Sequence, residues 1–193
     1  APCSVAELQA KGYQYWALGH VHEHWVQRGD VTIAYPGNLQ GRHIRELGVR
    51  GALLVSAEDG EITELERLEV DVLRWHMLDI DVSVVADMRS AVRMVGLAME
   101  QLLESTPADL PLAVRVVFKG CSAAHAELIV DEGQLRQEVI AQAVALDADR
   151  IWVEKVRVAT QALGAAPSSS DDESQGAMAE LETLALSAQD DPD

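Results

Sequence analysis

Tyr15-Trp16-Ala17-Leu18-Gly19-His20-Val21-His22 is an apolar run that ends in a glycine and then presents two histidines one residue apart. Residues 14–18 read as a strand, apolar enough to be covered on both faces. If the extended backbone continues, positions i and i+2 project to one side and the two imidazoles point together. Neutral imidazole is a common ligand of Zn, Mn and Fe. Gly19 lets the backbone bend or approach a bound group. Spacing alone leaves the other reading open, two unrelated polar residues at a strand end. His24 extends the period, but Trp25 and the following turn favour a surface histidine there.

A second dense stretch follows, Tyr35-Pro36-Gly37-Asn38-Leu39-Gln40-Gly41-Arg42-His43, running on to Arg45 and Glu46. Gly37 and Gly41 allow tight turns with exposed amides, which suits an anionic group. Arg42 could pair a phosphate in bidentate fashion. A well-capped polar loop is the alternative. His76 and His125 are read as structural or exposed. The scattered Trp16, Trp25, Trp75 and Trp152 are read as core or interface residues.

Working outward, Ser4 and Glu7 form an S-x-x-E capping box at the head of a short helix over residues 4–11, and Gly12 suits its end. Val31–Tyr35 is a strand stopped by Pro36-Gly37. Gly51–Ala57 is another, followed by the turn Glu58-Asp59-Gly60 and a long edge-like strand without a clean apolar face. From about residue 70 the pattern becomes strand–helix–strand–helix–strand. A half-buried strand over 78–84 is followed by a helix from an Asp87 N-cap to Glu104. Then come a strand with Leu112, Val114, Val116 and Phe118 on one face, a helix marked by Leu135, Val139, Ala143 and Leu146, and a strand over 150–158. This order predicts a small open sheet with two helices on one face, and an α/β class overall.

Composition sets outer limits. The apolar share of 48% is enough for a packed core. No apolar run approaches the roughly 18 residues of a membrane span, and no signal peptide is visible at Ala1. Cys3 and Cys121 lie far apart in no metal-binding spacing, which favours reduced thiols and a cytoplasmic location. The net charge of −17 argues against unaided binding of nucleic acid. Residues 164–193 hold eight acids and no Lys or Arg; without them 24 acids face 15 bases. That segment reads as a solvated acidic tail, with Met178–Leu186 at rough helical spacing. No basic stripe interleaved with aromatics, nucleophile elbow, P-loop or H-E-x-x-H motif is present.

Taken together, G-H-x-H at 19–22, P-G-N-L-Q-G-R-H at 36–43, and then Glu46, Gly48 and Gly51-Ala52-Leu53-Leu54-Val55 resemble the C-terminal part of calcineurin-like metallophosphoesterases. The closest branch is the DNA-repair exonuclease group of the SbcD and YhaO types. The resemblance covers residues 1 to about 160. It implies that residues 1–69 are the C-terminal part of a four-layer α/β/β/α sandwich, that 70–160 form a small α/β capping domain, and that 161–193 are an acidic linker or tail. It further implies two divalent metal ions, usually manganese, with His20 and His22 as ligands, and phosphodiester hydrolysis at that dinuclear site. Asn38, Arg42 and His43 would face the phosphate or DNA.

That family's D-x-H, G-D-x-x-D and G-N-H-D motifs, the last carrying the catalytic histidine, do not occur here. Only 19 residues precede His20, so the expectation is a piece of a longer chain with no catalytic residue of its own. The partners implied are DNA and an SMC-like coiled-coil ATPase subunit, with a homodimer left open and no membrane. The alternatives are a non-catalytic capping or interaction module of such a complex, and a phosphoesterase of the same fold acting on another phosphoester.

Overall fold

The computed structural model describes residues 3–164. The chain is mixed α/β, with three small sheets and four helices among the described residues. Helix α1 (Val5–Gln9) opens on the expected capping box: the Glu7 amide donates to Ser4 Oγ, and the Ser4 amide donates to the Glu7 carboxylate. Glu7 therefore titrates below the usual carboxylate range, held there by its bonds from Ser4. Leu8 is the buried residue of α1 and joins Val31 and Ile33, with Trp16 and Leu18 against them, in a small apolar cluster.

The first sheet has the order β1-β3-β2. Strand β1 (Tyr15–Ala17) runs parallel to β3 (Thr32–Tyr35), and β2 (Trp25–Gln27) runs antiparallel to it. Two expectations change here. β1 is an edge strand with a half-buried and partly exposed pattern, so it is not covered on both faces among the described residues. β2 occupies a stretch that reads as a polar turn, because the free edge of β3 supplies a partner that sequence alternation does not reveal. Trp25 faces Tyr35 across this pair, ring centroids 6.1 Å apart.

Strands β4 (Gly51–Glu58) and β5 (Glu61–Glu69) form a hairpin. Asp59 and Gly60 both take positive φ, 52° and 85°, as a two-residue primed turn requires. The ends of β5 and the next strand are joined by Arg74, whose guanidinium is buried against Asp71 (2.8 and 2.9 Å) and reaches Glu69 at 2.8 Å.

The largest core lies in the third sheet. β6 (Arg74–Asp81), β7 (Leu112–Ser122) and β8 (Ile151–Ala162) are all parallel, in the order β6-β7-β8. Parallel neighbours need crossovers, supplied by α2 (Met88–Glu104) and by α3 (His125–Val130) with α4 (Glu132–Asp147). Leu112, Val114, Val116 and Phe118 share one face of β7 and are fully buried. They pack with Val92, Val95 and Met99 of α2 and with Leu135, Val139 and Ala143 of α4. Since α2 also touches α4, the helices lie on one face, as the alternation predicts. Asp87 caps α2 through Ser90, which lowers its pKa.

The strand limits differ from the sequence reading. β6 starts at Arg74 and stops at Asp81, because the Asp81 carboxylate takes the amide (3.0 Å) and hydroxyl (2.6 Å) of Ser83 and turns the chain. β8 continues past 158 to Ala162, its end paired with Gly120–Ser122. Cys3 and Cys121 are free thiols. None of the four tryptophans is fully buried; Trp152 is 63% exposed. The acidic segment from residue 165 onward and the Met178–Leu186 stretch lie outside the described residues. No helix of the described residues is long and apolar enough to cross a membrane.

Candidate metal and phosphate site

The strand that leads to the histidines ends earlier than the G-H-x-H spacing suggests. Leu18 makes the last bond of that edge, its amide donating to Ala34 O at 2.8 Å. His20 then takes φ of 79°, a left-handed conformation in which non-glycine residues are uncommon. The rule that i and i+2 share a strand face therefore does not govern this pair. The histidines sit on a loop, both exposed. Backbone strain of this kind costs about 1–3 kcal/mol and is retained where the surroundings over-determine it.

The fixed residue is His22, two positions on. Its carbonyl accepts from the Asn38 amide (3.2 Å) and from Arg50 Nη1 (2.8 Å). A side chain at Gly37 would crowd that carbonyl, its Cβ 2.9 Å from the oxygen, and Gly37 itself has φ of 83°. The imidazole is fixed as well: Nδ1 lies 2.7 Å from Glu46 Oε1. Arg42 Nη2 is 3.3 Å from the same nitrogen. Both cannot be hydrogen bonds, because one ring nitrogen either donates or accepts. The shorter, carboxylate contact decides: Nδ1 carries the proton and donates to Glu46. In the neutral ring Nε2 then keeps its lone pair, the form a metal ion takes.

Glu46 is the hub of the loop. It is buried, yet four donors meet it. His22 Nδ1 and Arg42 Nη2 (3.3 Å) reach Oε1, and the Arg42 amide (2.8 Å) and Asn38 Nδ2 (3.0 Å) reach Oε2. The Arg42 amide, above all, holds its pKa down to about 2, with Arg42, His22 and Asn38 side chains assisting against desolvation. Arg50 is the second buried support. Besides His22 O it donates to Leu47 O (2.9 Å), to Asn38 Oδ1 (3.4 Å) and to the exposed Glu23 (2.7 Å).

The expected site residues thus fall into two groups. His22, Asn38 and Arg42 converge on Glu46. His43 lies close by, its Nε2 3.9 Å from Glu46 Oε1, and its Nδ1 accepts from the Arg45 amide at 3.2 Å. Asn38 spends its amide donor on Gln40 O and Glu46, so it braces the loop. Arg42 and His43 keep exposed side chains that can meet an anion. His20 makes no hydrogen bond among the described residues.

The organising roles of Glu46 and Arg50 escape spacing arguments. Glu46 has one legible signal, its place three and four residues after His43 and Arg42; Arg50 has none. His24 departs from the surface reading: it is half-buried, its Nδ1 has no partner, and burial and then the nearby charge of Arg67 lower its pKa. His76 is likewise half-buried, with an unpartnered Nε2 and a pKa lowered by burial and then by Arg74. His125 is structural, bonded to Thr160 Oγ1 at 2.8 Å.

A known family and a known protein are similar to this chain. Residues 75–161 match the family described as metallophosphoesterase YhaO, middle domain. The chain is also 36% identical, over 121 residues, to the uncharacterized metallophosphoesterase YhaO of Bacillus subtilis (strain 168). Both matches are to metallophosphoesterases of the YhaO type. The match covers 62% of this chain and 28% of that relative's length.

Such a family implies divalent metal ions, and the donor chemistry here fits one side of such a site. His22 has a fixed tautomer with Nε2 free, and His20 is an unbonded imidazole two residues away. No group of three or more His, Cys, Asp or Glu among the described residues is placed to hold a metal ion. His20 and His22 are the imidazoles that these residues would offer to such an ion.

Proposed function

We propose that this chain is a portion of a metal-dependent phosphodiesterase that acts on DNA ends in double-strand-break repair. The supporting observation is the His22–Glu46 pair, a carboxylate–histidine arrangement of the kind that orients metal ligands. In this reading residues 1–69 complete a four-layer α/β/β/α phosphoesterase domain, and 70–160 form its capping domain. His20 and His22 contribute imidazole nitrogens to a pair of divalent ions, with manganese as the ion. Bound metal supplies an activated water and charge stabilisation for phosphodiester hydrolysis.

The chain's own residues do the rest of their part by position. Glu46 selects, for the neutral ring, the tautomer with the proton on Nδ1, which leaves the Nε2 lone pair for a metal ion. Arg50 and the Asn38 amide hold the His22 backbone still. Arg42, anchored to Glu46 through its own amide and touching it with Nη2 at 3.3 Å, keeps most of its side chain exposed, where a phosphate can be met. His43 adds a second donor at the same edge. DNA, an SMC-like ATPase subunit, a second copy of the chain and a cytoplasmic setting belong to the same proposal.

The test is nuclease activity of the natural full-length polypeptide with Mn2+. His22→Ala is expected to abolish cleavage of duplex DNA. Unchanged activity in His22→Ala sinks the ligand assignment. Cleavage of nucleotides or phosphomonoesters in preference to DNA favours another phosphoester substrate. A folded full-length protein that binds no Mn2+ at millimolar concentration favours a non-catalytic module.

A further inference from the structure

The Gly41–Arg42 peptide unit is gripped at both ends by different parts of the chain. Its N–H, that of Arg42, donates to Glu46 at 2.8 Å. Its C=O, that of Gly41, accepts the indole N–H of Trp75 at 2.9 Å and the amide of Gln40 at 2.8 Å. One end is tied to the carboxylate that binds His22. The other is tied to Trp75, the second residue of β6 in the parallel sheet. Gly41 is buried in this clasp: a Cβ there would lie 2.7 Å from Glu46 O and 3.0 Å from Trp75 Cδ1.

Gln40 strengthens the same junction. Its side-chain amide donates to Leu73 O (2.6 Å) and its oxygen accepts from the Val72 amide (2.9 Å). It thus reads the backbone leading into β6 as a neighbouring strand would. A further bond runs from the Gly48 amide to Trp75 O at 3.0 Å. Trp75 therefore touches both ends of the loop, through its ring N–H and through its carbonyl.

We propose that Trp75 is a positioning residue for Arg42, the indole N–H fixing the peptide from which Arg42 departs and so coupling the parallel sheet to phosphate recognition. This rests on the reading that Arg42 meets the phosphate. A peptide plane held at both ends cannot rotate without breaking a bond, so the direction of the Arg42 side chain follows from Trp75 and Glu46 together. Removing the indole N–H leaves the Gln40 side-chain amide as the remaining donor to Gly41 O and loosens that end. The loop remains bonded at the other, so substrate capture weakens while chemistry at the metals is preserved.

The test has two readouts. The first is steady-state hydrolysis of bis(p-nitrophenyl) phosphate by the full-length polypeptide with Mn2+, comparing Trp75→Phe, Arg42→Ala and the double variant. Trp75→Phe keeps a ring but removes the donor. The loss of one hydrogen bond predicts a KM raised about three- to tenfold with kcat nearly unchanged. The double variant should match Arg42→Ala alone, since both act through one guanidinium. A raised KM in Arg42→Ala with no change in Trp75→Phe overturns the positioning role, as does full additivity.

The second readout is the amide spectrum of the 193-residue chain, which needs no metal or activity. The Arg42 amide and the His22 ring signals should move in Trp75→Phe; static signals overturn the proposal. If Arg42→Ala leaves KM unchanged, the phosphate-facing role falls, and the Arg42-mediated coupling proposed here falls with it. If Trp75→Phe does not fold, Gln40→Ala, which removes the neighbouring donor to Gly41 O, must produce the same KM rise for the proposal to stand.

Discussion

The parallel sheet and the loop at 36–50 are held by opposite kinds of force. In the sheet, Phe118, Val114, Leu135 and Met99 are wholly buried and touch mainly other apolar side chains. In the loop, the buried hubs are ionic: Glu46 and Arg50 are buried and held by hydrogen bonds to polar groups, with Arg50 Nε left unpartnered. Burial of apolar area is non-directional, so the sheet tolerates changes that keep volume. The loop's bonds are directional, and several donors, such as Asn38 Nδ2 and Gln40 Nε2, serve two acceptors each. The comparison teaches that this chain keeps the bulk of its apolar core in one region and its directional polar network in another.

The largest expected effect breaks the sheet. Phe118→Ala removes a fully buried ring and should cost about 3–5 kcal/mol, read as a lowered urea midpoint. A midpoint close to that of the unaltered chain contradicts the placement of the main core. Arg50→Met tests the loop in the same units. It strips four acceptors of a buried guanidinium and should cost about 2–3 kcal/mol, less than the ring. If it costs more than Phe118→Ala, the division between the two regions is wrong.

The difference in kind also explains what could be read in the sequence. Alternation along Leu112–Phe118 and helical spacing along Met88–Leu103 are direct images of apolar burial. The β6-β7-β8 layer with α2 and α4 was therefore legible, down to the Asp87 cap, whereas the short α3 was not read as a helix of its own. β2 was not, because pairing to the edge of β3 leaves no period in Glu23-His24-Trp25-Val26-Gln27. In the site, the residue types and the G-H-x-H and P-G-N-L-Q-G-R-H motifs were legible through resemblance. Their geometry was not: the positive φ of His20 removes the strand on which the spacing argument depends. The hub role of Glu46 depends on contacts across 24 residues of chain to His22, which no local pattern records.

A smaller effect sharpens the contrast at the head of α2. Asp87 accepts the Ser90 amide, and that bond holds its pKa below the ordinary 3.8. A depressed folded pKa means stabilisation that is complete above the unfolded value and fades as pH falls from about 4 toward the folded value. Asp87→Asn keeps an acceptor but cannot titrate. The stability gap between the two chains should therefore narrow as pH falls through that window, in urea titrations at stepped pH. A gap independent of pH contradicts the cap's contribution.

The central claim is that Glu46 fixes His22 with its proton on Nδ1 and Nε2 free for a metal. Long-range 1H–15N spectra of the histidine rings at pH 8.5 report this directly. The account predicts that His22 is the Nδ1-protonated tautomer, that Glu46→Gln removes that preference, and that added Zn2+ shifts His22 Nε2 in the unaltered chain. An Nε2-protonated His22, or a Zn2+ shift at Nδ1, contradicts it.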